Sequence, residues 1–286
     1  MRHLKVISLI AATSLPAAPL AAQETEGAQV KLWRLDCGNI DVNFLNLFSD
    51  TNAYADESKS LVGSCYLIQH GEEYLLWDAG LPAGLKGAEQ DPAAPISPTL
   101  KADLPEQLAQ LDLEPADIDL LGISHYHFDH TGQAPSFENA KLFIGKQDFE
   151  TLKMEPLPPF AQGFADPEPL AHWLSGDGEV EQTTGDKDIF GDGTVTMLTM
   201  PGHTPGETAL MVKLPETGPV ILSGDVVHFE EQIANVGVPT FNYDRAETLA
   251  SIDRLTRLAE NTGAMLIIQH DPRHVDKLPA FPEAAK

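Results

Sequence analysis

The stretch ISHYHFDHTG, residues 123–132, decides how the rest of the chain is read. It holds four side chains that bind divalent metals, His125, His127, Asp129 and His130, within six residues. At an extended strand end alternate residues share a face, so His125, His127 and Asp129 would point the same way. A turn would then bring His130 to join them, and Thr131-Gly132 suits a tight bend. Imidazole and carboxylate ligands fit zinc, iron or manganese. A surface loop with incidental histidines is the competing reading. It fits poorly, since the 286-residue chain has ten histidines and three of them fall in this hexapeptide.

Working outward, residues 118–123 form a short apolar run that reads as a buried strand delivering the cluster at its carboxyl end. Three more segments share that context. PGHTPG at 201–206 presents His203 from a bend, LSGD at 222–225 presents Asp225, and IIQH at 267–270 presents His270. Loops at the carboxyl ends of strands are where α/β folds put their chemistry. Taken singly, each such residue is more often a cap or a surface group; taken together, in this order, they form a pattern. The remaining elements are those of an α/β chain. Strands are expected at 30–35, ended by Asp36-Cys37-Gly38, and at 61–68 and 74–77 as a hairpin around His70-Gly71-Glu72-Glu73. Others are expected at 141–144, 194–199, 208–214, 220–223 and 265–268. Amphipathic helices are expected at 104–111, 146–153 and 245–260, the last closed by Thr262-Gly263. Residues 39–60 read as an irregular loop with an apolar patch at Phe44, Leu45, Leu47 and Phe48. That patch is core packing, a lip over a pocket, or the contact of a homodimer. Residues 154–179 read as a long Pro- and Gly-rich loop carrying Phe160, Phe164, His172 and Trp173, a lid or recognition element.

Apolar residues make up 42% of the chain, enough for a substantial core, and the formal charge is −25. Such acidity argues against nucleic acid or an anionic lipid surface as partner. Residues 1–22 read as a secretory signal: Arg2 and Lys5, an apolar run over 6–20, and a small-residue end at Leu20-Ala21-Ala22. Pro16 and Pro19 oppose a spanning helix, and no later stretch reaches spanning length. The expectation is a periplasmic or secreted protein of one domain, 23–286, with no stable membrane insertion after cleavage. Cys37 and Cys65 lie on neighbouring strand candidates, so a bridge and two buried thiols both remain open.

The combined pattern, HxHxDH at 125–130, GHTPG at 202–206, SGD at 223–225 and the late His270, resembles the metallo-β-lactamase superfamily, and the DAG at 78–80 resembles its short Asp-containing strand exit. The resemblance implies an αββα four-layer sandwich with two divalent metals at one edge, zinc foremost, with iron, manganese or cobalt accepted by the same ligands. It assigns His125, His127 and His203 to the first metal, Asp129, His130 and His270 to the second, and Asp225 to both. Seven ligands are too many for one tetrahedral zinc and suit two ions sharing a carboxylate. Within the superfamily the chain is most similar to the N-acyl-homoserine lactone lactonases, the quorum-quenching branch. The implied reaction is opening of a lactone by a hydroxide bridging the metals, with Asp129 relaying the proton to the alkoxide. That branch commonly carries a Tyr three residues after the bridging Asp; this chain has His228, which is expected to hold the substrate carbonyl in its place. Phe48, Phe160, His172 and Trp173 are the expected contacts of the acyl chain of this small-molecule substrate. Hydrolysis of aryl esters, organophosphates or β-lactams at the same site, and a non-catalytic metal-binding module, are the alternatives.

Overall fold

The computed structural model describes residues 29–286; the signal segment lies outside them. Seven strands make the first sheet: β1 (Val30–Val42), β2 (Lys59–His70), β3 (Glu73–Trp77), β4 (Ile96–Thr99), β5 (Leu120–Ile123), β6 (Lys141–Gly145) and β7 (Val180–Thr183), ordered β4-β1-β2-β3-β5-β6-β7. The second sheet contains β8 (Lys187–Asp188), β9 (Val195–Thr199), β10 (Thr208–Leu214), β11 (Gly218–Leu222) and β12 (Met265–Ile267), ordered β12-β11-β10-β9-β8. The hairpin β2–β3 pairs antiparallel, whereas β3–β5–β6–β7 and β11–β12 pair parallel.

Side-chain alternation along the strands explains the layering. From β2, Tyr66 and Ile68 face the second sheet and pack with Met197, Leu210, Val212 and Leu222. Their neighbours Cys65 and Leu67 face the other way, toward helices α1 (Leu104–Leu108), α3 (Lys146–Leu152) and α4 (Ala171–Ser175) through Leu108, Phe149 and Trp173. On the far face of the second sheet, Met211 and Ile221 pack against Ile252 and Leu255 of α6 (Arg245–Thr262). Both faces of both sheets are therefore buried, which gives an αββα sandwich. Each fully buried Leu or Ile contributes about 1.5–3 kcal/mol relative to an exposed one. Helix α6 starts at Asp244, whose side chain accepts from Glu247 N at 2.8 Å, and ends at Gly263 with φ +65°. Among the described residues, no helix is long and apolar enough to cross a membrane.

Two local expectations are corrected. Strand β1 does not end at Asp36-Cys37-Gly38; a bulge there, with Gly38 at φ +116°, lets it continue to Val42 and pair with β4. The bulge lies between the register pairs Asp36–Ser64 and Gly38–Gly63 and leaves Cys37 out of the ladder, where it forms a disulfide with Cys65. Residues 154–179 are not one loop. They contain α4, which buries Trp173 in the helical layer and donates its indole N–H to Ala140 O at 3.1 Å. His172, beside it, lies near Asp119, Glu138 and Lys141 on that outer surface.

Candidate metal centre

Strand β5 ends at Ile123, so His125, His127 and Asp129 are not presented by an extended segment. His127 instead precedes the single turn α2 (Phe128–Thr131), which turns Asp129 and His130 toward a common point. His203 arrives from the loop after β9, Asp225 from the loop after β11 and His270 from the loop after β12. Backbone bonds tie these loops into the frame. Thr208 N donates to Ser124 O, and Val62 N on β2 donates to His270 O.

The seven groups converge as two clusters, His125–His127–His203–Asp225 and Asp129–His130–His270. The two oxygens of Asp225 divide between them. Oδ2 lies 3.7 Å from His125 Nε2 and 3.5 Å from His203 Nε2; Oδ1 lies 3.4 Å from His130 Nε2 and 3.0 Å from His270 Nε2. Asp129 Oδ2 stands 3.7 and 3.6 Å from the Nε2 atoms of His130 and His270.

The proton positions follow from the outer partners. His270 Nδ1 meets the Val62 carbonyl at 2.8 Å, and a carbonyl can only accept, so that nitrogen carries the hydrogen and Nε2 offers a lone pair. His130 Nδ1 meets Asp78 Oδ2 at 2.9 Å, and His203 Nδ1 meets Asn242 Oδ1 at 2.9 Å. Beside His125 Nδ1 stand Ser124 Oγ at 3.1 Å and Glu207 Oε2 at 3.2 Å, the latter at ion-pair distance but outside hydrogen-bond geometry. His127 alone presents Nδ1, 3.0 Å from His203 Nε2. His130 Nε2 and His270 Nε2 are 3.2 Å apart. Nitrogen lone pairs so close repel unless a cation lies between them. Ligands at about 2.05 Å in tetrahedral array around zinc would be roughly 3.3 Å apart, so the spacing fits. The buried His125 Nε2 and Asp225 Oδ1 atoms have no hydrogen-bond partner among the described residues, as ligand atoms should.

Electrostatics divides the centre. Burial pushes His203 down to about 3, and burial together with neighbouring imidazoles holds His125 and His127 well below the ordinary range, so this trio is neutral and ready to ligate. Burial also opposes the charged forms of His130 and His270, but carboxylates, Asp225 foremost, outweigh it and raise both. Asp225 is held low despite its burial, because His270, His130 and His228 surround it. Carboxylate charge therefore dominates the second half, as a cation site requires.

His228 is buried at the cleft wall, with Nε2 3.1 Å from Asp225 Oδ2. Its orientation is set by Gln232 of helix α5 (Glu230–Asn235), whose Nε2 donates to Phe48 O while Oε1 accepts from His228 N at 2.6 Å. That same Oε1 lies 3.2 Å from His228 Nδ1, which must therefore carry a hydrogen. The cleft over the candidate ligands is walled by Ile40, Phe48, Leu61, Ile96, Phe128, Phe164 and Phe241. Of the expected acyl-chain contacts, Phe48 lines it. Phe160 stands outside, 37% exposed, pairing with Tyr243 at 4.8 Å next to the Phe164–Phe241 pair. His172 and Trp173 are not in the cleft; α4 carries them into the outer helical layer.

Residue spacing gave no sign of Asn242, Gln232 or Phe241 as parts of the site. Phe164 belongs to the loop expected as a lid or recognition element and does line the cleft, and Glu207 stands directly after GHTPG. Asp78, noted as a strand exit, proves to be the anchor of the second half. Its carboxylate accepts from Ser124 N, Ser124 Oγ and Gln269 Nε2 besides meeting His130.

Comparison with known proteins agrees with this geometry. The family model for the metallo-beta-lactamase superfamily matches residues 60–270. N-acyl homoserine lactonase AttM of Azorhizobium caulinodans is 28% identical over 265 residues, covering 89% of this chain and 97% of that protein. N-acyl homoserine lactonase AiiA of Bacillus thuringiensis subsp. kurstaki is 26% identical over 227 residues, covering 77% and 85%. The crystal structure of a quorum-quenching N-acyl homoserine lactone hydrolase superposes with TM-score 0.75 at 23% identity, covering 90% of this chain and 98% of the other, which establishes the shared fold.

Proposed function

This chain belongs to the metallo-β-lactamase superfamily, and from that premise we propose that it is an exported dinuclear hydrolase opening the lactone ring of N-acyl-homoserine lactones. The observation that carries the reading is the division of Asp225 between two nitrogen-rich clusters beneath an apolar cleft. Two divalent ions, zinc foremost, held by His125, His127 and His203 and by Asp129, His130 and His270 with Asp225 between, would supply Lewis acidity toward a carbonyl and toward water at neutral pH. The lactonase relatives direct the choice of substrate within hydrolysis.

The chain's own residues do the rest. His228 Nε2, aimed into the cleft by Gln232 and left with a lone pair by the hydrogen on Nδ1, accepts from the substrate's amide N–H beside Asp225. Phe48, Phe164 and Phe241 exclude water and flank the acyl chain, and the Phe160–Tyr243 pair extends that wall outward. Water adds to the carbonyl carbon and the ring C–O bond breaks. Asp129 carries a proton from the attacking water to the leaving alkoxide, and the new carboxylic acid then releases its own proton. Export accords with the buried Cys37–Cys65 bridge, which suits an oxidising compartment.

Acid release from hexanoyl-homoserine lactone tests this directly, run beside an aryl ester, an organophosphate and nitrocefin. The proposal requires lactone turnover that disappears with chelator and returns with zinc. Turnover of one of the other substrates with none on lactones would overturn it.

A further inference from the structure

Resting on the two-metal reading above, we infer that Asp148 is a positioning residue for the first metal alone, fixing His203 against the His125–His127 segment. Asp148 lies in the first turn of α3 and is completely buried. Its Oδ2 accepts from Thr204 Oγ1 at 2.7 Å and its Oδ1 from Gly206 N at 2.6 Å, so it grips the loop that begins with His203. The backbone of Tyr126, the residue between His125 and His127, also lies close enough to favour its carboxylate form. One side chain thus joins the two segments that supply all three histidines of the first cluster. Asp78 does the corresponding work for the second cluster through Ser124, His130 and Gln269. Burying a carboxylate is costly unless donors surround it. A hydrophobic residue could fill this space, but it could not hold the two donors of the His203 loop in register against the Tyr126 backbone. Asp148 touches neither substrate nor metal, and its effect passes through the 3.0 Å spacing of His203 Nε2 and His127 Nδ1.

The test is zinc affinity of the full chain by chelator competition, with anomalous scattering from crystals at limiting zinc to identify which position empties. Outer-sphere partners of metal ligands typically alter affinity about 10–100-fold. D148A is expected to weaken the first position by roughly tenfold or more and the second by less than about twofold, and D78A to do the reverse. D148N should restore most of the affinity, since its carbonyl can accept from Gly206 N and its amide can donate to Thr204 Oγ1. Equal loss at both positions, no loss at either, or a D148N variant as weak as D148A would overturn the inference. If D148A does not fold, T204V takes its place, and unchanged first-position affinity in T204V counts against Asp148. The wild-type arm keeps the two readings apart: zinc at both positions without lactone turnover removes the lactonase proposal and leaves this inference standing, whereas no paired zinc removes the metal centre itself.

Discussion

Removing the Cys37–Cys65 bridge should destabilise the fold by an amount that follows from chain length. The bridged residues are 28 apart in sequence. Closing a loop of that size in the unfolded chain costs about 12 cal/mol/K on the chain-entropy model, or roughly 3.5 kcal/mol at 25 °C. For a domain of this size each kcal/mol corresponds to about 2–4 °C in Tm, so a C37A/C65A variant should melt roughly 7–14 °C below wild type. The loss should extend to the site. A Cβ on Gly80 would lie 2.6 Å from Cys37 Sγ and 3.1 Å from Cys65 Sγ, so the sulfurs pack against the turn that begins with Asp78. Both sulfurs are buried, so dithiothreitol should reach them only as the structure opens, and reduction should be slow in native buffer and fast in mild denaturant. Guanidinium unfolding of the variant and wild type, monitored by tryptophan fluorescence, measures the difference. A loss below about 1 kcal/mol, or reduction at the same rate with and without denaturant, would refute the reasoning.

Gln232→Leu should lower kcat/KM on lactones about tenfold without changing zinc content, because His228 loses the acceptor that orients its ring while every metal ligand stays in place; depleted zinc would show that Gln232 serves the fold instead. Phe160→Ala should raise KM for a decanoyl lactone several-fold and leave a butanoyl lactone unaffected, with stability within about 0.5 kcal/mol, since the ring is partly exposed and packs on Tyr243; equal effects on both chain lengths would exclude it from the acyl path. Burial pushes Asp148 up to about 7 against the hydrogen bonds of Thr204 and Gly206. The folded chain therefore keeps this proton between pH 4 and 7 while the unfolded chain loses it, so the contribution to stability is full below about pH 4 and lost as pH rises through 7. The stability of wild type relative to D148N, measured with chelator present, should accordingly fall from pH 4 to 7, and a flat difference would contradict the assignment.

The site was legible in the sequence wherever ligand chemistry falls at strand ends. Four groups in one hexapeptide, together with His203, Asp225 and His270 after short apolar runs, are the seven that converge in space. Their local geometry was less legible. Asp129 and His130 sit on a turn of helix with His125 and His127 in the segment leading into it, and the four residues of α2 are too few to show a period. The supports were hidden for a different reason. Asp148 and Asn242 act across long sequence separations, Gln232 stands only four residues from His228, and in each case a buried carboxylate or amide looks in sequence like any surface polar residue. The disulfide needed the bulge at Asp36–Gly38, which no alternation pattern announces. Trp173 was misplaced because Pro and Gly around it hid a five-residue helix.

Anomalous scattering at the zinc edge from crystals of zinc-loaded protein tests the central claim most directly. Two peaks about 3.5–4 Å apart are expected, one on each side of the Asp225 carboxylate, the first among His125, His127 and His203 and the second among Asp129, His130 and His270. A single peak, or zinc bound away from Asp225, would contradict the dinuclear centre on which the proposed chemistry stands.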